Sequence, residues 1–123
     1  MRRVLFDKSG DPCLYLTGAG VLYTTDNQPV GRLEGEAVVS FAGTVVAWLI
    51  ADFLCDAEGK PVAFVKGAKP QEGLTLPRVK ALGVRLEPRP APFYPLLRPA
   101  GRPPLTWQWS ELAPHQLFEE VPG

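Results

Sequence analysis

At 123 residues, with 13 Lys+Arg balanced by 13 Asp+Glu, the chain suits one domain of modest core and has no global charge pointing to a polyelectrolyte partner. Two cysteines, Cys13 and Cys55, do not make a disulfide framework, and neither stands in a CxxC or Cys/His cluster. The chain has no GxSxG, no Gly-rich phosphate loop, no HExxH and no paired-Cys zinc spacing, so no cofactor or metal is expected from motifs.

The start, MRRVLFDKSG, has two arginines, but Asp7 and Lys8 break it before any apolar core of a secretory signal forms. A cytoplasmic protein is the expectation. From Val4 onward the chain repeats itself. VLFDKSGDPCLYL (4–16), VLYTTDNQPVGRL (21–33), AVVSFAGTVVAWL (37–49) and FLCDAEGKPVAFV (53–65) align, with starts 17, 16 and 16 residues apart. Each unit reads as a β-hairpin: a β-rich run, about four turn residues, and a second β-rich run. The seventh column is Gly10, Asn27, Gly43 and Gly59, the residue types that reach positive φ at least cost. The ninth is Pro12, Pro29, Val45 and Pro61, at the start of the returning strand, where a missing N–H does least harm.

One two-stranded hairpin is marginal in water, and these carry apolar residues on both faces. Four around one axis would bury the recurrent leucines and the small eleventh column (Gly31, Ala47, Ala63). The bulky twelfth column of Tyr15, Arg32, Trp48 and Phe64 would lie further out. The expected fold is therefore all-β: four β-hairpin repeats around a pseudo-fourfold axis. The stretch AVVSFAGTVVAWLIADFL (37–54) has the apolarity of a membrane span. In register with its neighbours it is the third hairpin plus the start of the fourth, with Gly43 in a turn and Ala51–Asp52 as the link. No membrane span is expected.

The pattern apolar-apolar-x-Asp-x-x-Gly-x-Pro-Val-x-aromatic-Leu resembles that of the bacterial four-fold beta flower proteins. The likeness continues through VKGAKP (65–70), a Pro-rich stretch and TWQWSEL (106–112), so it covers nearly the whole chain. It implies four hairpins about a pseudo-fourfold axis and carries no activity or site residues with it. Val45 in place of Pro and Asn27 in place of Gly depart from the pattern within what a hairpin turn tolerates.

Beyond the repeats the composition changes. Of 14 prolines, 11 follow residue 68. Residues 66–102 carry eight basic side chains against Glu72 and Glu87, a net of +6, whereas residues 1–65 and 103–123 each carry −3. The chain divides into a four-hairpin unit (1–68), a Pro-rich basic extended arm (69–105) and a Trp-containing terminal segment (106–123). The apolar punctuation of the arm, from Leu74 to Leu97, favours packing over free disorder. Its charge favours the acidic hairpin surface of the same chain. Val84–Leu86 is a candidate edge strand, and 89–105 reads as polyproline II of the kind that aromatic grooves bind. The terminal segment suits one short helix, with Ser110 capping a turn that starts at Glu111 and with Leu112, Leu117 and Phe118 on one face.

Chemistry is sparse. His115 is the one histidine, so a thiol–His115 pair is the only dyad the chain offers. The fourth column, Asp7, Thr24, Ser40 and Asp56, would form a ring under fourfold geometry. Such a ring suits a cation, but short polar side chains opening a turn more often cap its N–H groups. Trp107 and Trp109 are costly to leave in water, so they dock on the hairpins or anchor a partner. A non-enzymatic structural or protein-interaction module follows, binding a protein partner or a second copy through Trp107, Trp109, Leu112, Phe118, Phe93, Tyr94 and Trp48. Nucleic-acid binding through the basic arm, with Phe93 and Tyr94 as stacking surfaces, is the weaker alternative, and nucleic acid is an unlikely partner. A small enzyme of unstated reaction is the third.

Overall fold

The computed structural model describes residues 2–83, 85–91 and 100–119. Among them the chain forms eight strands and one 3-10 helix. The strands are β1 (Arg3–Asp7), β2 (Pro12–Leu16), β3 (Val21–Thr24), β4 (Pro29–Glu34), β5 (Ala37–Ser40), β6 (Val45–Ile50), β7 (Phe53–Cys55) and β8 (Pro61–Val65). Consecutive strands pair antiparallel, and β8 returns to β1 to close a barrel. The apolar stretch 37–54 is β5, β6 and the first residues of β7. No described helix is long and apolar enough to cross a membrane.

The fourfold pattern is visible atom by atom. In every repeat the fourth residue donates its N–H across the turn, from Asp7 to Asp11, Thr24 to Gln28, Ser40 to Thr44 and Asp56 to Lys60, at 2.9 Å each. The seventh residue donates back to the fourth, and it holds positive φ: Gly10 82°, Asn27 68°, Gly43 84° and Gly59 81°. The register then shifts at the same place in all four hairpins, between Leu5/Phe6, Leu22/Tyr23, Val38/Val39 and Leu54/Cys55. One extra residue is thereby inserted in each returning strand (Cys13, Val30, Val46 and Val62). Such bulges bend a strand and increase its twist, which helps a short sheet close.

Inside, the second column faces the eleventh: Leu5 pairs with Leu14, Leu22 with Gly31, Val38 with Ala47 and Leu54 with Ala63. These residues, with Leu16, Val62, Val65 and Leu117, make the barrel core. The small column does what its size suggests. A Cβ on Gly31 would stand 2.7 Å from the Val39 carbonyl oxygen and 3.2 Å from the Phe118 ring. Outside, Phe6, Phe53, Cys55 and Phe64 form a second apolar layer on β1, β7 and β8. That layer is covered by Ala68, Leu74, Leu76, Val79, Leu105, Trp107 and Trp109.

The basic arm is thus a belt on the barrel, and the seventh column holds it. At Gly10 the belt's Arg78 carbonyl passes where a Cβ would be, 2.1 Å away, and Lys80 N–H donates to the Gly10 carbonyl at 2.9 Å. At Gly59 the Pro104 carbonyl does the same at 1.9 Å, and Thr106 N–H donates to the Gly59 carbonyl at 3.0 Å. At Asn27 the side chain takes over. Its Oδ1 accepts from Glu87 N–H at 2.8 Å and from the Tyr15 hydroxyl at 2.6 Å, and its Nδ2 donates to the Arg85 carbonyl at 3.3 Å. Tyr23, stacked on Tyr15 with ring centroids 5.1 Å apart, donates its hydroxyl to the Arg89 carbonyl. The end of the belt meets its beginning, where Trp109 Nε1 donates to the Thr75 carbonyl at 3.2 Å.

Two expectations change. Residues 85 and 86 form no strand, because their carbonyls are taken by the Asn27 and Arg2 side chains, and Val84 lies outside the described residues. The short C-terminal helix is a 3-10 turn, Pro114–Phe118, capped from Ala113 rather than Ser110. Ser110 does cap the bend at Glu111, its Oγ accepting the Leu112 N–H at 3.1 Å, but that bend precedes the helix. The Ser110 hydroxyl also donates to buried Asp56 at 2.5 Å, so Leu112 falls before the helix and stays exposed.

If the belt needs glycine at the turns, Gly59→Ala should cost about 2 kcal/mol more than Gly35→Ala in urea unfolding. Both positions have positive φ, but nothing stands within 4 Å of a Cβ on Gly35. Equal costs would mean that the belt does not depend on this approach. A chain ending at Ala68 uncovers Phe6, Phe53 and Phe64 and is expected to aggregate or change oligomeric state in light scattering. A monodisperse, cooperatively folding short chain would show that the belt is dispensable.

Candidate functional site

The repeats leave polar side chains at the turns, but those side chains are occupied. Asp7 Oδ1 accepts from Ser9 and Asp11 N–H at 2.9 and 3.0 Å, and Asp56 Oδ1 accepts from Glu58 and Lys60 N–H at 2.9 and 3.0 Å. The Thr24 and Ser40 hydroxyls accept from Gln28 and Ala42 N–H at 3.2 and 3.3 Å. The fourth column therefore caps turns. Among the described residues no group of three His, Cys, Asp or Glu is placed to hold a metal ion.

The thiols are packed rather than poised, Cys13 half-buried and Cys55 buried. Cys55 is fully buried on the outer layer, and Cys13 packs against the barrel core. Burial first, and the nearby Asp7 and Asp56 carboxylates second, push both up to about 12. His115 stands exposed on the 3-10 turn with Nε2 3.8 Å from Glu119.

A concave feature lies where the belt crosses the β1–β8 seam. It is a cleft of about 700 Å³. Val4 and Phe6 of β1 face Val79 and Leu82 of the belt across it, and Arg2, Arg3, Lys66 and Lys80 line it. No carboxylate is among its described lining residues. The four cations differ in what they already hold. Arg3 pairs with Asp52, and Lys80 Nζ lies 2.7 Å from Asp11, a hydrogen bond that raises its pKa and keeps it charged. Arg2 spans from β1 to the belt, donating one guanidinium N–H to the Leu86 carbonyl at 2.9 Å and keeping its other donors. Lys66, exposed just past β8, makes no ion pair within the described chain.

The residues singled out from the sequence do not meet at this cleft. Trp107 packs edge-on against Phe53 with centroids 5.1 Å apart, and Trp109 lies 6.1 Å from Phe64. Trp48 is buried on β6, and Phe118 lies against the barrel core. Leu112 is 40% exposed, the one large apolar side chain so exposed among the described residues. Phe93 and Tyr94 lie outside the described residues. The cleft itself was not legible in the sequence, because it joins residues 2–6 to residues 79–82. The basic excess of residues 66–102 was the only signal toward it.

Hairpins repeated four times, a common turn geometry and a common register define a pseudo-fourfold, closed eight-stranded barrel belted by its own C-terminal arm. The chain belongs to the 4-fold beta flower proteins, whose family model matches residues 3–118. No curated protein and no solved structure matches the chain.

Thiols ionising near 12 are almost wholly protonated at pH 8, so iodoacetamide should modify Cys13 and Cys55 only when the chain unfolds. The raised values also set a pH dependence. This stabilisation is complete below about 8.5, where an unfolded thiol begins to ionise, and is lost as pH climbs toward 12. Mass spectrometry of native and urea-treated samples checks the first statement. Fast native labelling would show an accessible thiolate.

Proposed function

We propose that the protein is a non-enzymatic recognition module and that the cleft between β1 and the belt is its binding surface. One observation carries the reading: a single cleft combines an apolar floor with four cations and no carboxylate among its described lining residues. Ligand sites are commonly such concave, mainly apolar places with a few polar groups that fix orientation. The geometry around the cleft supports rigidity. Asp11, Asp52 and the Leu86 carbonyl hold Lys80, Arg3 and Arg2, so little side-chain entropy remains to be lost on binding.

The same contacts weigh against recruitment by a Trp-tipped tail. Both rings are engaged within the chain, and Ser110 ties the terminal segment to Asp56. Three of the belt's basic side chains are met by acids, Lys80 by Asp11, Arg102 by Glu36 and Arg85 by Glu87, which lowers the charge offered to a nucleic-acid backbone. The thiols, one half-buried and one buried and both pushed up to about 12, support a binding role over a catalytic one.

A photo-cross-linking side chain placed at Leu82, on the cleft, and separately at Leu112, away from it, tests the reading in cells. Adducts are expected from position 82 and should be lost in Lys66→Glu. Adducts only from position 112, or none from 82, would remove the cleft as the recognition surface.

A further inference from the structure

We infer that the cleft takes a small anionic amphiphile, with its acidic head at Arg2 and Lys66 and its apolar body over Val4, Val79 and Leu82. The inference rests on the recognition reading above and adds the class of occupant.

A cleft of about 700 Å³ lies in the range that takes one small molecule. Its cations are not equivalent. Arg3 and Lys80 are largely neutralised by Asp52 and Asp11, whereas Arg2 has donated one N–H to a neutral carbonyl and Lys66 has no ion-pair partner in the described chain. The field left over in the cleft is positive and comes from these two groups. An anion placed there displaces no carboxylate of the described lining. A purely polar anion would desolvate the apolar floor without covering it. A purely apolar ligand would leave two cations facing its surface. An amphiphile satisfies both. A guanidinium and an ammonium together offer donors enough for a carboxylate, sulfonate or phosphate head.

The belt decides that the occupant is a free molecule and not a bilayer. Residues 79–82 form a wall on one side, anchored by the Lys80–Gly10 and Lys80–Asp11 contacts, so the apolar floor lies inside a cleft, away from a flat lipid surface.

Two fluorescent probes with related aromatic bodies test this on the full chain: anilinonaphthalene sulfonate and neutral N-phenylnaphthylamine. One sulfonate probe per folded chain is expected, bound at least about tenfold more tightly than the neutral one and more weakly as salt rises. Arg2→Ala with Lys66→Ala should weaken the sulfonate about tenfold or more. Lys8→Ala, an exposed cation on the first turn, should leave it unchanged. Circular dichroism and a cooperative melt must match the parent, since loosened cores also take up such probes. Decyl sulfate below its micellar range should displace the probe.

Equal affinity for the two probes, or no effect of the double variant, would overturn the inference. So would displacement by a short single-stranded oligonucleotide but not by decyl sulfate, or binding only to anionic vesicles. Cross-linking from position 82 alongside indifference to these probes would leave the recognition surface standing and refute the ligand class. Absence of adducts from position 82 in the otherwise unaltered chain would refute the recognition surface.

Discussion

Positive φ at the seventh position of each repeat is the constraint on which the rest of the structure depends. At 82°, 68°, 84° and 81°, Gly10, Asn27, Gly43 and Gly59 reverse the chain in the same way four times. An identical turn gives an identical register shift, and an identical shift sends the second and eleventh columns inward every time. The barrel is therefore assembled from one local solution repeated. Its closure through β1 and β8 follows from four equal bends, with no dedicated closing element.

The same residues have a second task that the turn does not require. Two of the glycines accept a belt carbonyl where a side chain would stand, at 2.1 and 1.9 Å from the missing Cβ. The third of these contacts uses the opposite device. Asn27 tolerates the left-handed backbone and also supplies an amide that binds the belt from both of its polar atoms. A departure from glycine is thus a gain of contact, since an amide can be satisfied by belt groups that pass further from the turn. The belt in turn covers the outer aromatic layer, which a two-faced sheet cannot leave in water.

What the sequence made legible is what recurs at short range. The hairpins, the turn residues, the inward small column and the outward bulky column all follow from spacing within a repeat, and the apolar stretch 37–54 resolves into strands on the same evidence. The belt's course does not recur, so its details were hidden. Ser110 has the composition of a helix cap, yet Asp56, 54 residues away, is the stronger partner because its second oxygen has no turn N–H to accept. Asn27 looks like a tolerated substitution until Arg85 and Glu87 are brought beside it. The cleft is hidden for the same reason, since its two walls come from opposite ends of the described chain's first two-thirds.

Charge connects these observations. The chain is neutral as a whole, but its segments are not, and folding brings the basic belt against acids of the hairpins: Lys80 to Asp11 and Arg102 to Glu36. Exposed pairs of this kind contribute little to stability, roughly 0–1 kcal/mol each. Their value is in position, because they set which way the belt lies and therefore which cations it leaves over. Arg2 stands two residues ahead of Val4 on the outer face of β1, and Lys66 follows the last strand, so barrel closure itself brings them together at the β1–β8 seam. The seam is the one place where the first and last hairpins meet, and it is there that the fourfold symmetry is broken by the basic residues that flank β1 and β8. A site at that seam costs the repeats nothing: no inward column, turn or bulge has to change to create it.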